Sequence, residues 1–232
     1  RLQTNVKFFN KYPLQVVDGV FDFLELHDDN VENYDLIAKE DLKKPFTPDE
    51  VKDVIFNCCE LLMPQSSKVR SLVDVGCGDG YISSKINALE KIAIDISIEN
   101  LLRIPPSIIR IRANVEQIPL KDHCVDTIIC TDVFEHVQNE KLLANELERI
   151  LKPEGQILFA VPWEQDLSIY DSEEYITKYK KFKYVHLRSV DFAVIQDCFP
   201  QFEIVCSTLI TVGMKHMKLK PYPIRFMQLL RK

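Results

Sequence analysis

No stretch of these 232 residues is apolar for long enough to read as a membrane span, and no charged-then-apolar leader opens the chain. A basic surplus is missing as well: 29 Lys and Arg stand against 35 Asp and Glu, a net charge of -6. A chain that grips nucleic acid through its phosphates usually shows the opposite balance, so no nucleic-acid partner is expected. The one basic cluster, Lys178, Lys180, Lys181 and Lys183, is short. Seven cysteines are scattered without metal-ligand spacing, so no metal is expected and free thiols in a reducing, cytoplasmic setting are. Adjacent Cys58 and Cys59 read as small packing residues of a helix. Internal repeats and low-complexity tracts are absent. The first residue is Arg1 rather than Met, so residues preceding it are left open, as is the oligomeric state.

What is present describes a folded α/β chain. Hydrophobic residues make up 46% and charged ones 28%, ordinary values for a protein with one large core. Residues 1–45 are expected to form a helical cap or lid, with Leu14, Val16, Val17, Val20, Phe21, Phe23, Leu24 and Leu26 on an apolar helix face. Acidic, solvated residues follow from Asp28 to Asp35. Thr47-Pro48-Asp49-Glu50 has the form of a capping box, opening a helix that carries Val51, Val54, Ile55, Cys58, Leu61 and Leu62 and ends near Met63-Pro64.

From there the punctuation is regular. Short apolar runs at Ser71–Val75, Lys91–Ile94, Ile108–Ile111, Thr127–Cys130 and Gln156–Val161 alternate with amphipathic stretches, notably Tyr81–Leu89 and Lys141–Leu151. That alternation predicts a parallel sheet covered on both faces, in a domain spanning 46–232. Residues 163–185, rich in Tyr, Lys and Glu, read as an inserted segment. A helix near Ser189–Cys198 and apolar runs Phe202–Ile210 and Ile224–Leu230 predict a closing antiparallel hairpin.

The most informative stretch is Val73-Asp74-Val75-Gly76-Cys77-Gly78-Asp79-Gly80, between a strand and a helix. Glycines at alternate positions let the backbone turn tightly and keep side chains from between main chain and ligand. The spacing D-x-G-x-G-x-G is not that of a dinucleotide fingerprint, and no Lys-Ser/Thr pair follows as in a P-loop. Asp74 suits an ammonium rather than a phosphate. Asp95 ends the next strand, roughly twenty residues on, where a carboxylate can accept from two ribose hydroxyls.

The combination resembles the class I S-adenosylmethionine-dependent methyltransferases, in the broad group that includes quinone-biosynthesis and small-metabolite enzymes. The resemblance runs from about Leu72 to Pro162 and rests on VDVGCGDG, AIDIS, ANVEQIPL, DTIICTDVFEHV and LERILKPEGQILFAVP in the family's order. It implies a Rossmann-like, doubly wound, seven-stranded sheet, mostly parallel with a C-terminal antiparallel hairpin. It implies S-adenosyl-L-methionine as donor and S-adenosyl-L-homocysteine as product. Asp74 would receive the donor's amino group, directly or through water, and Gly76, Cys77 and Gly78 would line its methionine portion, with Gly80 also among the donor-binding residues. Asp95 would hold the ribose and Ile96 pack on the adenine. Asn114, where the family often has Asp, would face the adenine amino group, and Val115 would supply an amide. Thr131 and Asp132 would close the fourth strand beside the donor.

Methyl transfer from a sulfonium is an in-line displacement, and positioning supplies much of its rate. A hydroxyl acceptor would benefit from a base, for which His136 and His186 are the candidates. The expected acceptor is a small molecule, met by the two segments outside the shared core. Tyr12, Phe21, Trp163, Tyr170, Tyr175 and Tyr179, with Arg188, are the candidate contacts. A protein or peptide acceptor, and a non-catalytic methyltransferase-like partner subunit, are the competing readings.

Overall fold

In the computed structural model, which describes residues 6–24, 29–41, 49–63, 69–179, 186–212 and 222–232, the alternating runs form one sheet with helices on both faces. The strands are β1 (Gln15–Val17), β2 (Val20–Asp22), β3 (Val69–Val75), β4 (Ala88–Asp95), β5 (Ile109–Arg112), β6 (Val125–Thr131), β7 (Leu151–Pro162), β8 (Phe202–Val212) and β9 (Tyr222–Arg231). They lie in the order β1-β2-β5-β4-β3-β6-β7-β9-β8. Strands β5, β4, β3, β6 and β7 run parallel, while β9 is antiparallel to both β7 and β8. The expected seven-stranded, mostly parallel sheet with its closing hairpin is therefore present. Its central strands are dry: Leu72, Val73, Val75, Ile92, Ala93, Ile94, Ile128 and Ile129 are all 0% exposed, as strands covered on both faces must be.

The sheet has nine strands rather than seven, because the N-terminal segment joins it. Residues 14–24 do not supply the expected apolar helix face, and Leu26 lies outside the described residues. Asp18 and Gly19 both take positive φ (47° and 78°), which closes a two-residue hairpin between β1 and β2. β2 then adds in parallel to β5, and the Arg110 guanidinium donates to the Asp18 carbonyl at 2.7 Å.

The helices are α1 (Asp29–Asp41), α2 (Asp49–Leu62), α3 (Tyr81–Lys85), α4 (Ile98–Leu101), α5 (Glu140–Ile150), α6 (Glu173–Tyr179) and α7 (Phe192–Cys198). α2 buries Val51, Ile55 and Cys59, one helical face at four-residue spacing. The Thr47-Pro48 start proposed for it lies outside the described residues. α5 buries Leu143, Ala144, Leu147 and Ile150 and is capped by the Asn139 side chain. α3 is shorter than the amphipathic stretch implied, because Ile86 turns extended (ψ 138°) and β4 begins at Ala88. Among the described residues no helix is long and apolar enough to cross a membrane.

Candidate functional site

The chain reverses its strand order at β3, sending β4 and β5 to one side and β6 and β7 to the other. In open α/β sheets, ligands settle at that switch, beyond the carboxyl ends of the strands. A cavity of about 300 Å³ lies there, lined by the β3–α3 loop, the ends of β4 and β6, the turn after β5, and side chains of α1 and α2.

The loop residues divide by role. Gly76, Gly78 and Gly80 all have positive φ, at 69°, 53° and 72°. A Cβ at Gly76 would come 2.2 Å from Val133, and one at Gly80 would come 2.8 Å from Ile104. A Cβ at Gly78 would meet nothing within 4 Å. Gly76 and Gly80 are thus glycine for packing, whereas Gly78 is where a ligand can approach bare backbone. Gly76 and Cys77 donate to the Ile94 carbonyl at 2.8 and 3.0 Å, which folds the loop over the end of β4.

Asp95 ends β4 and is 7% exposed. Its Oδ2 accepts from the Gly78 amide at 2.8 Å and its Oδ1 from the Ser97 amide at 2.8 Å. Burial pushes its pKa up to about 6 despite those two donors. Asp74 is buried one strand over, with its pKa pushed up to about 7 by burial and by the charges of Asp95 and Asp79, against hydrogen bonds from Ser83. Asp74 engages Ser83 of α3 and does not itself line the cavity; Gly80 does not either. Cys77 lines it as a neutral thiol, since burial and the nearby Asp95 and Asp74 push its pKa well above the ordinary value.

Ile96, Asn114, Val115, Thr131 and Asp132 also line the cavity, so nine of the eleven expected donor contacts converge on it, with Gly76, Cys77, Gly78 and Asp95. Asn114 Oδ1 accepts from the Glu116 amide at 2.8 Å, which stiffens that turn. Several lining residues carried no motif. Tyr34, Ile37 and Ala38 come from α1, and Lys52 from α2, where its ammonium meets Asp79 at 2.8 Å. Burial and the charges of Asp95 and Glu135 push the Tyr34 hydroxyl pKa up, keeping it a donor.

At the β6 end the wall becomes Asp132, Val133, His136, Val137 and Gln138. Asp132 takes a left-handed φ of 54°, uncommon for a residue with a side chain. Behind it Glu135 is 1% exposed, and neither of its carboxylate oxygens has a hydrogen-bond partner. Burial and the Asp132 charge push its pKa well up. The His136 and His186 rings meet edge to face, centroids 4.9 Å apart. His186, 8% exposed, does not line the cavity but stands behind His136, its Nδ1 2.5 Å from Glu164 and 2.7 Å from the Tyr170 hydroxyl.

The expected acceptor contacts are placed elsewhere. Tyr12 is 83% exposed, and Phe21 sits in the core on β2, its ring 5.1 Å from that of Phe9. Trp163 stacks with Phe192 and the Arg225 guanidinium. Tyr170 holds His186, and Tyr175 packs edge-on against Tyr170. None of these five lines the cavity, and the Tyr179 side chain lies outside the described residues. Arg188 donates to the carbonyls of Phe134 (2.8 Å), Val137 (2.7 Å) and Gln138 (3.1 Å), which fixes the loop carrying Glu135 and His136. It is a positioning residue. Aromatic character in a segment does not say which way a ring turns, and here the rings turn inward or to solvent.

Comparison with known proteins agrees with this geometry. Residues 73–159 match the family model described as a methyltransferase domain. An uncharacterised protein of Methanocaldococcus jannaschii is 34% identical over 111 residues, covering 47% of this chain and 49% of that protein. A Mycobacterium tuberculosis protein named a probable S-adenosylmethionine-dependent methyltransferase is 26% identical over 98 residues, 40% of this chain and 36% of that one. The chain thus spans half or less of the length of these relatives. Among solved structures, the N-methyltransferase NodS from Bradyrhizobium japonicum, in complex with S-adenosylhomocysteine, superposes with a TM-score of 0.63 at 12% identity, over 86% of this chain and 98% of that one. A methyltransferase of Anabaena variabilis reaches a TM-score of 0.61 at 15% identity, over 94% of this chain and 100% of that one.

Proposed function

The chain contains a class I, S-adenosylmethionine-dependent methyltransferase domain, and we propose that the protein transfers a methyl group from that donor to O, N or C of a small-molecule acceptor. The observation that carries the proposal is the pairing of Gly78, open where a Cβ would stand, with the buried Asp95 carboxylate 2.8 Å from its amide. Bare backbone beside an acid at the switch point fits an adenosine ribose and an amino acid chain, and the acidic wall fits a sulfonium cation. The donor supplies a methyl group already activated on sulfur.

The residues do the rest by placement. Asp95 keeps lone pairs for a ribose diol on oxygens already oriented by Gly78 and Ser97. Ile96 and Val115 offer apolar surface for a purine. Lys52, within the lining beside Asp79, is positioned to meet a carboxylate. Tyr34 and His136 bound the side on which an acceptor would approach the methyl group, an arrangement that serves proximity more than proton transfer. Seven free cysteines support a reducing, cytoplasmic setting.

Isothermal calorimetry tests the proposal directly. One S-adenosylmethionine should bind per chain, and Asp95→Ala should weaken binding about 10- to 100-fold, the worth of charge-assisted hydrogen bonds. An unaltered affinity in a folded Asp95→Ala protein would remove the ribose assignment. Mass spectrometry of labelled methyl transfer into a cell extract then identifies the acceptor, and a macromolecular product would overturn the small-molecule reading.

A further inference from the structure

Glu135, His136 and His186 each present a ligand atom, and these atoms lie within 4.8 Å of one another beside the β6 end of the cavity, which His136 lines. We infer that these three side chains bind a divalent transition-metal ion, a role beyond the methyl-donor site. Two imidazoles and one carboxylate are the ligand set of Zn²⁺ and non-haem Fe²⁺ sites, which keep a coordination position open.

Three observations converge on it. First, Glu135 is 1% exposed, neither of its oxygens accepts a hydrogen bond from another residue, and the His136 Nε2 stands 3.8 Å from its Oε1, too far for one. Leaving a buried polar group unsatisfied is costly, and charge makes it more so. A cation between the carboxylate and the imidazoles removes that penalty. Second, His186 has the second support that metal-binding histidines carry. Its Nδ1 is held by Glu164 at 2.5 Å and the Tyr170 hydroxyl at 2.7 Å, which orients the ring. Third, the backbone is clamped where the ligands emerge. The Leu187 amide donates to the Glu135 carbonyl at 2.8 Å, and Arg188 grips the carbonyls of Phe134 and Val137 on either side. Residues fifty positions apart in sequence are thereby fixed to one another.

The distances are compatible with an ion. Ligands about 2.1 Å from a metal lie at most about 4.2 Å apart. A 4.8 Å cluster therefore needs only a small rotation of the side chains to close. Because His136 lines the donor cavity, the open position would face the acceptor. An acceptor oxygen would join the ion there, and in that arrangement neither imidazole serves as a free base. This last step rests on the donor reading; the metal site itself does not.

The test uses the whole chain, stripped with chelator and titrated with Co²⁺ and Zn²⁺ under reducing conditions. One equivalent should bind, with cobalt d–d absorption and no sulfur-to-cobalt charge-transfer band. His186→Asn and Glu135→Gln should weaken binding by about a hundredfold or more, and Glu164→Gln by about 10- to 100-fold, as loss of an outer partner does. Calorimetry with S-adenosylhomocysteine on the same proteins reports whether each variant is folded. No saturable equivalent, a thiolate band, or unchanged affinity in folded His186→Asn would overturn the inference. Metal binding without donor binding would instead sink the methyltransferase reading and leave the metal site standing.

Discussion

In the proposed ribose role Asp95 accepts two hydroxyl hydrogen bonds best as a carboxylate, yet burial pushes its pKa up to about 6. Donor affinity should therefore be flat at pH 7 to 8 and fall below about pH 6, approaching a tenfold loss per unit as protonation competes with binding. Calorimetry across pH 5 to 8 checks this, with Asp95→Asn weak throughout and without the inflection. Asp74 makes the complementary case for stability. Its folded pKa, about 7, lies above the unfolded value of 3.8, so the folded state holds a proton that the unfolded state has lost. Its contribution is fully present below pH 3.8 and is lost as pH rises through about 7. The span corresponds to roughly 4 kcal/mol at about 1.4 kcal/mol per unit. Urea unfolding should show Asp74→Asn gaining on the parent protein between pH 5 and pH 8; a constant difference would mean that Asp74 is charged in the fold at both. The placement of Asp95 at the cavity was legible in the sequence because a strand end is a local signal, whereas that Asp74 turns to Ser83 instead of lining the cavity was not. Tyr34 and Lys52 were not either, since a polar residue on a helix says nothing about which distant strand end it will face.

Helix α1 lines one side of the cavity with Tyr34, Ile37 and Ala38, and polar contacts tie it to the segment after β4 and to the end of β5. Asp35 accepts from the Ser97 hydroxyl at 2.6 Å and from Arg112 at 3.1 Å, Lys39 meets Glu99 at 3.3 Å, and Arg103 donates to the Ala38 carbonyl. Only Ile37 and Ala38 of the helix are buried apolar residues. An element with so small an apolar anchor sits at the low-stability end of the molecule. Asp35→Ala should speed amide hydrogen exchange across residues 31–41, leave the strands β3, β4 and β6 protected, and weaken donor binding several-fold. Unchanged exchange would assign the anchoring to Arg103 and Lys39. The same region shows where element reading went astray. Val17-Asp18-Gly19-Val20 is a hairpin signal, but an apolar run from Leu14 to Leu26 also satisfies a helical period over that length. The two glycine-permissive φ values and the β5 edge decided for strands.

For the molecule as a whole, the question is whether residues 6–24 are a lid over the domain or a part of its sheet. Phe9, Phe21 and Phe23 are 4%, 6% and 7% exposed and sit in the same core cluster as Val73 and Ile92 of the central strands. Burying three such rings is worth at least about 5 kcal/mol as a group, a large part of the ~5–15 kcal/mol by which a domain is stable. Removing them also strips β2 from β5, exposing an apolar sheet edge that templates association. A chain beginning at residue 25 keeps every described residue that lines the cavity, since these lie from Tyr34 onward. It should nonetheless unfold at much lower urea concentration and scatter light on standing. Chain-length dependence would then be a property of the core and not of the pocket. A truncated chain that keeps both the full-length midpoint and its solubility would make residues 6–24 a detachable flap instead.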